Sequence, residues 1–150
     1  MTAHRGRLLS GTPGTGQPVH AASFLRKRQI ILDSGLRHRE LARILLHELF
    51  HFAWIRLSNA QRESYAQLIA AELQRHARGE LGWSAEWRKS QAHEGNLRRY
   101  REYLCESFCD TGAWRYGSSR RHDEFTLAKR WREHRRQWFD ATFPDRVIRI

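Results

Sequence analysis

The strongest constraint on the fold is an apolar stretch at residues 41–57 that encloses His47-Glu48-Leu49-Phe50-His51. Its length and composition fit a buried α-helix, expected over about residues 36–57. On a helix, residues four apart lie on one face, one turn from each other. His47 and His51 can therefore aim their imidazoles at one point. Glu48 is turned about 100° from His47, beside that point but not on it. A buried helix seldom carries two histidines and a glutamate unless they have partners.

This geometry suits a metal ion held by His47 and His51, with Glu48 placed to act as a base on water. A zinc site needs a third protein ligand. The stretch 97–116 has helical periodicity through Leu97, Tyr100, Leu104, Phe108 and Trp114, with Asn96 as an N-cap and Gly117 as a stop. Within it Glu106 and Asp110 share a face. Glu106 can complete a His-His-Glu set, and Asp110 can accept a hydrogen bond from the non-ligating nitrogen of a ligand histidine. His93, in a polar, loop-like stretch, is an alternative third ligand. Cys105 and Cys109 are a further alternative, although Glu106 competes for the same location.

His47-Glu48-Leu49-Phe50-His51 followed by Glu106-Ser107-Phe108-Cys109-Asp110 resembles the gluzincins, the thermolysin-like clan of zinc peptidases, and above all their single-domain members, the minigluzincins. Residues 28–33 resemble the strand that precedes the active-site helix in compact members. The resemblance spans roughly residues 20–116. It implies a zincin-like fold, one Zn²⁺ per chain held by His47, His51 and Glu106, and Glu48 as general base. Asp110 would act as the group behind a ligand histidine. The long stretch between His51 and Glu106 departs from thermolysin, and no histidine or tyrosine matches the pair that holds the oxyanion in the larger enzymes. Tyr103 and His134 are candidates for that role, each with an alternative role as a core residue. Two related families share parts of the pattern. The ImmA-type peptidases that cleave bacterial repressors also use a downstream glutamate. The SprT-like proteases use a third histidine, for which His93 is the candidate.

At 150 residues, 40% of them hydrophobic and six of them tryptophan, the chain is expected to be one domain with its own core. Residues 1–18 read as loop-rich and 145–150 as a tail. The glycines of 11–18 are followed by no Lys-Ser or Lys-Thr, which excludes a phosphate cradle. Residues 19–33 are the one convincing β region, as one long strand or two short ones around Arg26-Lys27. Ser58-Asn59-Ala60-Gln61 is a capping box opening a helix that Gly79 ends. A short helix at 84–91 is expected to be anchored to the core by Trp83 and Trp87. A last helix, from Asp123 to about residue 139, is expected to carry Leu127, Trp131, His134 and Trp138 on one face. The expected class is α+β: a small N-terminal sheet packed on a mainly helical body of four to five helices.

No apolar run is long enough for a membrane span and no secretory signal is visible, so a cytoplasmic location is expected. Cys105 and Cys109, one turn apart on one helix, are poorly placed for a disulfide and read as reduced thiols. Net charge is +11, from 24 arginines and three lysines against 16 acidic residues. The arginines are spread through every segment and accompany no recognition motif, so weak, non-specific nucleic-acid binding is expected. The expected activity is zinc-dependent hydrolysis of a peptide or protein substrate. The alternative from another class is an arginine-rich nucleic-acid-binding or regulatory protein whose metal site is structural. A narrowly targeted, regulator-cleaving peptidase is a third reading.

Overall fold

A computed structural model describes residues 2–4, 7–10, 17–92, 95–119, 121–145 and 147–150, with backbone pairing alone for those up to residue 18. Three short strands, β1 (Thr2–His4), β2 (Arg7–Ser10) and β3 (Gln17–Val19), form an antiparallel sheet in chain order. β4 (Ala21–Phe24) and β5 (Gln29–Leu32) form a separate antiparallel hairpin, with Ala21 opposite Leu32 and Phe24 opposite Gln29. A 3₁₀ turn, Leu25–Lys27, joins them, and Arg28 closes it in the left-handed conformation, φ 51°. The β region at 19–33 is thus two short strands. Residues 2–4, 7–10 and 17–18 are strand where a loop-rich start was expected, and residues 11–16 of that expected loop lie outside the described residues. Runs of three or four residues are too short to display periodicity.

Five helices follow: α1 (His38–Arg56), α2 (Asn59–Gln74), α3 (Trp83–Gln91), α4 (Leu97–Tyr116) and α5 (Lys129–Thr142). The architecture is α+β and mainly helical. Among the described residues no helix is long and apolar enough to cross a membrane. The caps read from the sequence are in place. Ser58 Oγ accepts from the Gln61 amide at 3.1 Å while Gln61 returns the bond to the Ser58 amide at 2.9 Å. Asn96 accepts from the Arg99 amide at 3.1 Å.

α1 packs chiefly on α4, and the β4–β5 hairpin lies against α1. Their approach is close because α4 presents Gly112 to the Phe50 ring, where a Cβ would fall 2.5 Å from ring carbons. Around this contact Phe50, Tyr65, Ile69, Leu104, Phe108 and Phe139 form the main core. Phe108 stacks on Phe139 at 5.1 Å and meets Phe50 edge to face at 5.7 Å.

Four expectations about the helical body need correction. α2 ends at Gln74, well before Gly79, and His76 takes up the left-handed conformation at φ 56°. Gly79 instead lets the chain pass the Thr126 backbone, which a Cβ would strike at 2.5 Å. Trp83 and Trp87 do not anchor α3: they are 64% and 42% exposed and stack on each other at 6.0 Å. The anchor is Ala85, fully buried.

The last helix starts at Lys129, not Asp123. The amides of Thr126 and Leu127 are both tied to the Glu80 carbonyl at 2.9 Å, which holds that segment out of helical geometry. The buried face of α5 is Trp131, Arg135 and Phe139. His134 is exposed, against the expectation of a core or cleft position, and meets Trp131 edge to face. Its place in the core is taken by Arg135, fully buried. Arg135 donates to Glu72 and Glu80 at 2.7 Å each and to Ser107 Oγ at 3.0 Å. Of the tail, residues 147–150 have no regular structure, and Ile148 packs against the main core.

Candidate metal centre

His47 and Glu48 are buried on α1, and His51 is partly buried one turn on. α4 runs alongside and presents Glu106 to them. His47 Nε2 lies 3.2 Å from His51 Nε2 and 3.2 Å from Glu106 Oε2, and the third side of the triangle is 3.8 Å. Tetrahedral zinc with bonds of about 2.0–2.1 Å requires ligand atoms about 3.3 Å apart. The donor set therefore fits zinc in both chemistry and spacing. The two imidazoles are nearly perpendicular, at 78°, so their ring nitrogens converge while the rings avoid each other. Glu48 stands outside this triangle.

Asp110, one turn beyond Glu106, accepts a hydrogen bond from His47 Nδ1 at 2.7 Å. That bond leaves Nε2 as the lone-pair nitrogen facing His51 and Glu106. The other Asp110 oxygen accepts from the Ala85 amide at 2.9 Å. Asp110 thus caps the first turn of α3 from a different helix. Gly82, immediately before α3, makes room for it: a Cβ there would sit 2.3 Å from the carboxylate.

The electrostatics follow the geometry. Burial disfavours a charged His47 ring, but the carboxylates of Asp110 and Glu106 outweigh it and hold its pKa well above the usual imidazole range. Burial also opposes charge on His51, whose pKa is nonetheless raised, mainly by the hydrogen bond to Cys105 and the negative charge of its thiolate. A pocket that favours a proton on these rings favours a metal cation by the same field.

The structure brings together His47, His51, Glu106 and Asp110, with Glu48 the buried neighbour of His47 on α1. It does not bring the two candidate oxyanion donors to the centre. The Tyr103 hydroxyl donates to Glu80 at 2.5 Å inside the buried network of Arg135, and His134 lies on the exposed face of α5. His93 falls outside the described residues. Sequence reasoning missed Gly82 and the Ala85 amide, which belong to no motif. It also missed the contact between Cys105 Sγ and His51 Nδ1, 3.5 Å apart. One helix turn of spacing between Cys105 and Cys109, around Glu106, was the available signal for that contact.

No known protein family, curated protein or solved structure matches the chain.

Proposed function

We propose that the chain is a zinc-dependent peptidase whose metal is held by His47, His51 and Glu106. The observation that carries this reading is the triangle of three donor atoms, closed by a carboxylate on the far nitrogen of one histidine. When bound, zinc supplies Lewis acidity that polarises a carbonyl and makes water a nucleophile near neutral pH.

The residues of the chain supply the rest. Glu48, buried on α1 and adjacent to His47 in the chain, takes the proton of the attacking water and returns it to the departing amide nitrogen. Asp110 holds His47 in one tautomer and one orientation, and the α3 amide holds Asp110. The β4–β5 hairpin, packed on α1, offers strand edges to which an extended substrate can add its backbone. The zincin-like character of the fold and the kinship with minigluzincins belong to this proposal.

The nucleic-acid-binding alternative is less well supported. Arg43, Arg88, Arg98, Arg99, Arg115, Arg135 and Arg136 are all engaged with carboxylates of the chain itself. The test is hydrolysis of a fluorescence-quenched peptide library by the zinc-loaded chain. Cleavage that a chelator abolishes and added zinc restores supports the reading. Its absence across the library, in protein verified to hold zinc, counts against it.

A further inference from the structure

His51 has two ring nitrogens, and they face different partners. Nε2 is turned to His47 and Glu106, whereas Nδ1 lies 3.5 Å from Cys105 Sγ. Cys109 follows one turn later on α4, fully buried, while Cys105 is partly exposed. Both thiols are free. The ligand atoms of His51, Cys105 and Cys109 all lie within 4.8 Å of one another. Tetrahedral zinc, with bonds of about 2.3 Å to sulfur and about 2.0–2.1 Å to nitrogen, needs those atoms about 3.6 Å apart, and a larger soft ion needs somewhat more. The 3.5 Å between Cys105 Sγ and His51 Nδ1 is close to that spacing.

We propose that Cys105, Cys109 and His51 form a second metal site, sharing His51 with the first, that takes a thiophilic ion such as Cd²⁺. Thiolate sulfur selects soft ions, whereas the imidazole and carboxylate donors of the first site do not. Each thiol loses its proton to water as the ion binds, and the histidine contributes Nδ1. A neutral imidazole carries a single lone-pair nitrogen. His51 therefore serves one site at a time, and the two sites compete. The partly exposed Cys105 is the side from which an ion enters. The donor set stands whether or not the chain hydrolyses peptides.

The test is a titration of the metal-free chain with Cd²⁺, read by thiolate-to-cadmium charge-transfer absorbance. The sequence contains just these two cysteines, so such a band has one source. The expected result is a band that saturates at one ion per chain in the wild type and in Glu106→Gln and His47→Ala. It should be lost in Cys105→Ser, a partly exposed position that tolerates the change, and in Cys109→Ser, since either variant leaves one thiolate and one imidazole to hold the ion. His51→Ala should reduce Cd²⁺ affinity by at least about tenfold, while His47→Ala leaves it unchanged. Absence of the band in the wild type overturns the site. Cd²⁺ affinity unchanged in His51→Ala overturns the shared histidine. Saturation at half an ion per chain overturns it as well, since the thiols would then join two molecules.

Discussion

Asp110 and His47, 63 positions apart in the chain, meet in a buried 2.7 Å hydrogen bond that fixes which imidazole nitrogen is available to a metal. The bond exists because Gly82 leaves the space and the Ala85 amide holds the second carboxylate oxygen. Asp110→Asn preserves shape but removes the charge that orients His47. Zinc affinity should fall by about 10–100-fold, measured by competition with a chelator of known affinity. An unchanged affinity would show that the carboxylate has no role behind the ligand.

Glu48→Gln should keep zinc and fold yet lose hydrolysis. Glu48 lies outside the donor triangle, so the amide leaves the ligand set intact while removing the base. The rate loss should be on the order of 10²-fold or more, read as kcat on any peptide the wild type cleaves. Full activity in this variant rules out Glu48 as the base.

The histidine pair, the helix that carries it and the acidic helix were legible in the sequence because spacing alone places i and i+4 on one face. The Ser58 capping box and the Asn96 cap were legible for equally local reasons, and so was a β region at 19–33, though not whether it was one strand or two. What was not legible depends on contacts between distant segments. Nothing near His134 or Arg135 indicates which one is buried; the choice is made by Glu72 and Glu80 on other elements. Trp83 and Trp87 have core-like spacing, yet α3 is held through Ala85 and Asp110, which leaves both indoles outside. Gly82 has no signature until Asp110 is seen beside it.

The Arg135 network gives a stability prediction with a defined pH dependence. Burial pushes the Glu80 carboxyl up, but the Arg135 guanidinium outweighs it and holds the pKa below the ordinary value. A carboxylate with a depressed folded-state pKa stabilises the fold above its unfolded pKa, about 4.3. That contribution is lost as pH falls through the lower folded value. Glu80→Gln leaves Arg135 short of one counter-charge and should cost about 3–5 kcal/mol at neutral pH. Its stability should also fall less steeply in acid than that of the wild type. Parallel acid profiles in urea-denaturation measurements would contradict this.

Nucleic-acid binding should be weak and should collapse between low and physiological salt, since it rests on phosphate neutralisation alone. Fluorescence anisotropy with single- and double-stranded DNA at two salt concentrations checks this. Tight binding that persists at physiological salt, or preference for one sequence, would promote the arginine-rich surface to the main function.

The zinc content of two variants, Cys105→Ser and Cys105→Ser/His47→Ala, tests the metal centre most directly, because removing Cys105 disables the thiolate site. The first protein should carry one zinc per chain at His47, His51 and Glu106. The second should carry none after dialysis and should melt at the same temperature with or without added zinc. A full equivalent of zinc retained by the second protein would contradict the assignment of His47, and with it the peptidase reading.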